Sequence, residues 1–306
     1  MSEREGSQRE RGATRAVRPE GRGPGWARER EMTGQGAVRP PSVRARPLRW
    51  LGDHVVVLFA VLAFGYLFVP IAYTVAFSFN NAGKSNLVWR GFTVDNWRNP
   101  CGAPQVCTAL RTSLEVGLLA TVAATVLGTM VAFALARHRF RGRAATNLLI
   151  FLPMATPEVV LGASLLTLFL NLRINPGFWT IVLAHVMFCI SFVVVTVKAR
   201  IASLDPRLEQ AAMDLYADEW QTFRRVTLPL VVPGIMAAAL LSFALSFDDF
   251  IITNFNSGNV NTFPKFVYVS ATRGIPPQAN VIGTSMFFVA LLVVLLGQLV
   301  SARRRH

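Results

Sequence analysis

Three carboxylates fall inside or at the edge of long apolar stretches, where an acidic side chain has no routine use. Glu158 follows Pro153-Met154-Ala155-Thr156-Pro157, and Asp248 and Asp249 stand side by side between Phe247 and Phe250. An acidic residue near the middle of a bilayer costs about 2.5–3.5 kcal/mol on insertion scales, so it faces a bundle interior or an aqueous cavity. The chemistry open to such groups is the attraction of a cation, and adjacent carboxylates at a helix mouth raise its local concentration. Phe247, Phe250 and Phe255 add ring faces on which an ammonium gains roughly 0.5–2 kcal/mol. Each of these residues also has a plainer use. Glu158 serves equally as a hydrogen-bonded packing group, and Asp248 and Asp249 as the water-facing end of a helix within an aromatic belt.

The elements that must position these groups are apolar helices. The chain has 306 residues, of which 52% are hydrophobic and only 16% charged, too apolar for an ordinary soluble domain of this length. Six windows are about 20 residues or longer, enough to cross a hydrocarbon core of about 30 Å: 54–79, 113–136, 145–170, 178–198, 230–252 and 280–301. The fold class expected is therefore an all-α membrane protein with six transmembrane helices. Basic clusters precede the first window (Arg44, Arg46, Arg49), separate the second from the third (Arg137, His138, Arg139, Arg141, Arg143), follow the fourth (Lys198, Arg200, Arg207) and end the chain (Arg303, Arg304, Arg305). The positive-inside rule places all four in the cytoplasm, together with both termini. Loops 80–112, 171–177 and 253–279 then lie outside. Prolines 153 and 157 remove two backbone donors from the third window and predict a kinked or broken helix. At 1.5 Å per residue from Leu230, Asp248 and Asp249 stand about 27 Å along the fifth, near its external end.

Residues 1–48 differ in kind. They are rich in Arg, Gly, Pro and Glu and cannot bury enough apolar surface to order themselves, so they read as a disordered basic cytoplasmic tail, with 49–306 as the membrane domain. Eleven Arg against six Glu leave +5 of the +14 net charge here, and the tail reads as a solvated segment reinforcing topology rather than one drawn to anionic lipid headgroups or nucleic acid. No short apolar core with a cleavage site follows it, so the first window is expected to be retained as a membrane helix.

Enzymatic signatures fail on inspection. Gly83-Lys84-Ser85 resembles the end of a phosphate loop, but Ser78 occupies the position where that loop needs its first Gly. The four histidines (His54, His138, His185, His306) are scattered, and His185 in the fourth window reads as a satisfied bundle residue. No metal-ligand spacing is present. Cys189 is a small packing residue within the fourth window; Cys101 and Cys107 lie in an external loop, where spacing leaves both a short disulfide and free thiols open. If the chain moves a solute with energy, another chain must hydrolyse the nucleotide.

Between the fourth and fifth windows lies a polar, helix-forming island, about 203–229. Asp205-Pro206 starts a helix, with Leu208, Ala211, Ala212 and Leu215 on one face. Asp218-Glu219 starts a second short helix carrying Trp220, Phe223 and Val226. Two short amphipathic helices at an angle form a knob suited to a hydrophobic groove in a partner, though a loop folded back on its own bundle has the same composition.

Gln210-Ala211-Ala212, Tyr216 and Val226-Thr227-Leu228-Pro229 resemble the "EAA" loop of permease subunits of bacterial ABC importers. That resemblance implies an inner-membrane permease whose loop docks into an ATPase subunit, and assigns Glu209, Gln210, Ala211, Ala212, Asp214, Leu215, Tyr216, Leu228 and Pro229 to coupling. Two positions depart from the pattern. Gln210 replaces Glu, with Glu209 beside it, and Tyr216 replaces Gly; if that Gly takes a left-handed turn, a non-glycine residue there costs about 1–2 kcal/mol and alters the bend. The segments 156–160, 185–189, 192–197 and 241–249 are similar to those of second permeases of spermidine/putrescine importers. This implies a heterodimer with a homologous permease, an ATPase dimer that binds ATP and magnesium, an extracytoplasmic substrate-binding protein, and no cofactor on this chain. Glu158, Asp248, Asp249, Phe247 and Phe250 become the implied substrate pathway. Another small cationic or organic solute remains open, as does a membrane scaffold, whose activity, unlike transport, would be lost on deleting 1–48.

Overall fold

The structure, a computed structural model, describes residues 45–82, 85–138 and 140–303. Residues 1–44, most of the stretch expected to be a disordered tail, lie outside the described residues, as do Gly83, Lys84, Arg139 and 304–306. Internal contacts group the chain into two units, 1–64 and 65–306. The described part of the first is wholly helical. It belongs to α1 (Ala45–Ser78), which begins inside the stretch read as tail.

The remaining helices are α2 (Asp95–Arg98), α3 (Val106–Arg137), α4 (Arg143–Ala155), α5 (Glu158–Asn171), α6 (Phe178–Ala202), α7 (Arg207–Asp214), α8 (Glu219–Thr222), a π-helical turn (Phe223–Thr227), α9 (Leu228–Asp248), α10 (Ile251–Asn256), α11 (Phe263–Arg273) and α12 (Pro277–Arg303). Among the described residues there is no β-strand, only one isolated bridge between Asn80 and Phe92. Five helical stretches are long and apolar enough to cross a membrane, and a sixth if α4 and α5 are counted as one broken span.

The third window, 145–170, is broken as its prolines predict: the chain turns by 109° between α4 and α5. Pro157 forces the turn: the residue before a proline is driven out of the helical region, and Thr156 sits at φ −81, ψ 133. Pro153, inside α4, is accommodated. The fifth span also ends earlier than the expected 252, at Asp248, and the segment 253–279, expected to be external loop, carries α11 and most of α10.

The core of the second unit is α6 packed against α3 and α9. On α3, Ala120, Ala124, Gly128 and Ala132 recur every fourth residue and are all buried. Small residues at this spacing let helix backbones approach closely. A Cβ on Gly128 would lie 2.7 Å from the Val193 side chain of α6, so glycine is required there. The N-terminal end of α3 is stitched separately. Val106 and Ala109 of α3 pack on Phe263 and Phe266 of α11 and on Ala279 and Ile282 of α12. Cys101 and Cys107 are joined by a disulfide, with Cα atoms 5.3 Å apart. Lys265 donates to Ser257 Oγ at 2.6 Å and to the Gly258 carbonyl at 3.0 Å, and its burial lowers the ammonium pKa below the usual lysine range.

Candidate functional site

Two places combine unusual residues. The first is the break between α9 and α10. Asp249 has left the helix, and its carboxylate accepts the backbone N–H groups of Ile252 at 3.3 Å and Thr253 at 2.8 Å, capping α10. On its other side it meets His185 Nε2 at 3.2 Å, which also lies 3.0 Å from Thr253 Oγ1; His185 Nδ1 lies 2.7 Å from Ser246 Oγ. With a carboxylate on Nε2, the arrangement that satisfies both nitrogens has Nε2–H donating to Asp249 and Nδ1 accepting the Ser246 hydroxyl. The His185 side chain is 1% exposed and that of Asp249 4%.

The adjacent expected pathway residues therefore part company. Asp248, the last residue of α9, is exposed, whereas Asp249 is turned inward and fully engaged. The expected pair of carboxylates at one mouth is corrected to one presented group and one structural group, because successive residues leaving a helix end point in different directions. Phe247 stacks on Phe243 with centroids 6.0 Å apart, and Phe250 meets Tyr268 at 4.3 Å. Phe255 packs toward α5: a Cβ on Gly162 would come within 2.9 Å of its ring. Asn256 closes the same contact by donating to the Gly162 carbonyl at 3.2 Å. Glu158 is exposed in the first turn of α5, one turn before Gly162, where the helix dipole favours a negative charge. Glu158 and Asp249 thus stand at the N-terminal ends of two helices packed on each other.

The second place is 203–229. The Asp205 carboxylate accepts the Arg207 N–H at 2.9 Å and opens α7; that of Asp218 accepts the Gln221 N–H at 2.6 Å and opens α8. Between them Tyr216 takes φ 61, with Tyr216 N–H donating to the Met213 carbonyl at 2.9 Å and Ala217 N–H to that of Ala212 at 3.2 Å. Those two bonds are a Schellman C-cap, which normally carries Gly at the left-handed position. The left-handed turn expected for glycine is made by tyrosine. The second half differs from the expected free-standing helix: α8 runs on through the π-helical turn into α9, so its Trp220 and Phe223 belong to the start of a span.

Glu209 points inward. Its two oxygens pair with both guanidinium nitrogens of Arg137 at the end of α3, and it accepts the Thr227 hydroxyl at 2.6 Å. Arg137 foremost, helped by Thr227, holds the Glu209 carboxyl below its ordinary pKa. Phe223 extends the tie, lying 5.3 Å from Phe133 of α3 and 5.7 Å from Trp220. A cavity of about 670 Å³ separates these anchors, lined by Thr129, Phe133, Arg137, Glu209, Phe223 and Thr227. Outward, Gln210, Ala211, Asp214 and Pro229 are exposed, Ala212 and Leu228 are half-buried, and Leu215 and Tyr216 are 82% and 99% exposed.

Sequence reasoning had no means of finding Arg137, Thr227 or the bonding of His185. The partners are 72, 18 and 64 residues from the groups they hold. The one available signal was the presence of a histidine in an otherwise apolar span.

Broken apolar helices around a buried polar network, with an exposed apolar tip on a short helix, define a multi-pass helical membrane protein built to meet other chains. Residues 124–305 match the family described as binding-protein-dependent transport system inner membrane component. The chain is 34% identical over 249 residues to the spermidine/putrescine transport system permease protein PotC of Haemophilus influenzae, covering 81% of this chain and 96% of that one. It is 36% identical over 236 residues to the putrescine transport system permease protein PotI of Escherichia coli, covering 74% and 84%. In fold it is similar to a chain of a bacterial ABC transporter involved in import of the acidic polysaccharide alginate, with a TM-score of 0.65, 16% identity and coverage of 85% and 98%. The chain belongs to the binding-protein-dependent transport system inner membrane component family, and is a multi-pass protein of the inner membrane.

Proposed function

We propose that this chain is one of two homologous permeases forming the translocation path of an ATP-driven importer for polyamines. The observation that carries the reading is the pairing of polyamine-permease relatives with two exposed carboxylates, Glu158 and Asp248, at breaks in apolar helices. A polyamine carries several ammonium groups, and an exposed carboxylate where a span is interrupted offers it a counter-charge without a buried, unpaired anion. Both termini and the 203–229 knob lie in the cytoplasm in this reading. The exposed row Ala211, Leu215 and Tyr216 then enters a groove of an ATP-binding cassette ATPase, whose dimer binds ATP and magnesium, while an extracytoplasmic binding protein delivers the solute. Glu209 holds the knob to α3 rather than meeting the ATPase.

In the reconstituted complex, Glu158→Gln and Asp248→Asn are expected to weaken polyamine-stimulated ATP hydrolysis. A wild-type response in both removes the cation path. Ala211→Asp with Ala212→Asp tests docking: uptake should fall at least about tenfold, the effect of roughly 1.4 kcal/mol lost at an interface, and unchanged uptake sinks the docking assignment. An importer for a different small cation is separated by competition of unlabelled solutes against labelled putrescine.

A further inference from the structure

Along the seam between α4 and α6 runs an apolar groove of about 550 Å³, lined by Leu148, Ile150 and Phe151 of α4 and Val194 and Val195 of α6. Lys198 closes one end of it. The same lysine also lines a second pocket, of about 340 Å³, together with Arg137, Arg143, Asp205 and Glu209. The two cavities thus meet at Lys198, one lined mainly by apolar side chains and the other by charged ones.

The charges at that end are unequally used. Arg137 and Glu209 neutralise each other, and the Asp205 carboxylate accepts the N–H of Arg207. Lys198 donates once, to Asn147 Oδ1 at 2.9 Å, and has two further N–H donors; no acidic partner of Arg143 or Lys198 occurs among the described residues. Both are half-buried, so neither charge is fully dissipated in water. An ammonium and a guanidinium in this setting call for an anion, and the guanidinium fork suits the paired oxygens of a phosphate. The apolar continuation selects among anions. A free phosphate leaves the groove unfilled, whereas a phosphodiester carrying an acyl chain fills both halves. Basic pockets between helices at the cytoplasmic surface recognise lipid headgroups in this way.

We propose that the α4/α6 seam is a binding site for an anionic phospholipid, its phosphate held by Arg143 and Lys198 and one acyl chain lying between Phe151 and Val195. The lipid would brace α4, the helix that precedes the 109° turn to Glu158. The inference rests on the chain being a membrane protein and not on what it transports.

The test uses the full chain in its complex, reconstituted in nanodiscs of phosphatidylcholine with phosphatidylglycerol as a minority component, and native mass spectrometry of the retained lipid. Wild type should retain phosphatidylglycerol in preference to phosphatidylcholine. Arg143→Gln and Lys198→Gln should each reduce that preference about fivefold, since a basic side chain near the surface contributes on the order of 1 kcal/mol. The charge-preserving pair Arg143→Lys and Lys198→Arg should keep it. Equal retention of both lipids by wild type, or an undiminished preference in the glutamine variants, overturns the site. Should the glutamine variants fail to assemble, a photocrosslinker placed at Phe151 in the otherwise wild-type chain decides: a lipid adduct is expected, and an adduct with protein assigns the groove to a neighbouring subunit instead. Displacement of the retained lipid by millimolar inorganic phosphate would assign the pocket to free phosphate.

Discussion

The α9/α10 break and the 203–229 knob solve one problem in opposite surroundings. In each, two neighbouring polar residues divide the work: one turns inward into hydrogen bonds, the other is presented. At the break these are Asp249 and Asp248; in the knob they are Glu209 and Gln210. The difference lies in how much water reaches the inward partner. Asp249 and His185 are buried on every side, whereas Arg137 is 39% exposed and Glu209 18%. An ion pair open to solvent is screened and weak, while removing one member of a buried pair strands the other in a medium that cannot solvate it. The break is therefore the more firmly held of the two. The knob is a tethered element with room to move against the cavity behind it.

The comparison breaks most readily at the buried pair. His185→Leu should cost about 3–5 kcal/mol, the effect of removing one partner of a buried pair, read as loss of assembled complex and a lower unfolding temperature. Glu209→Ala should cost less, about 1.5–3 kcal/mol, as expected for hydrogen bonds to a charged group, with helicity of the bundle retained and uptake reduced. A cost as large as that of His185→Leu would erase the distinction between the two regions.

The knob also has a pH signature. Arg137 lowers the Glu209 pKa from its ordinary 4.5, so the tie is at full strength above that value and is lost as pH falls through the lowered pKa. The wild-type complex should lose more stability on acidification across this window than Glu209→Gln, which has no proton to take up. Superimposable pH curves would remove the tie from the account.

A smaller effect is expected at Tyr216. Gly there relieves about 1–2 kcal/mol of left-handed strain but gives back roughly 0.5–1 kcal/mol through the freer unfolded chain, a net stabilisation of about 0–1.5 kcal/mol. Uptake should be retained unless the ring itself meets the ATPase. Asp248→Asn should leave stability within about 0.5 kcal/mol of wild type, as for most surface changes, so any loss of polyamine response there is functional. A destabilisation like that of His185→Leu would place Asp248 in the buried network instead.

Much of the fold was legible because its signals are local. Apolar run length gave six spans, where the described residues have five, or six with the bent pair taken as one, and the prolines at 153 and 157 marked the break in the third. The Asp-Pro step in the polar island marked the start of the helix Arg207–Asp214 to within one residue. Helices α10 and α11 were missed because short segments such as Ile251–Asn256 have no periodicity long enough to read. They are held by partners far away, as when Asn256 donates to Gly162. The candidate sites were legible as positions and not as roles. Glu209 and Gln210, like Asp248 and Asp249, are alike in sequence, and only the direction of each side chain separates them.

What the sequence determined by itself is what depends on nearest neighbours: membrane residence, the helix starts, the proline break, and the EAA-like pattern that marks the family. Only the tertiary structure decided which acidic residue is held in hydrogen bonds and which is exposed, that cysteines 101 and 107 are bridged, and that a tyrosine makes the left-handed turn. Those outcomes depend on groups brought together from as many as 72 residues apart, and a one-dimensional pattern holds no record of which distant helix supplies the compensating charge.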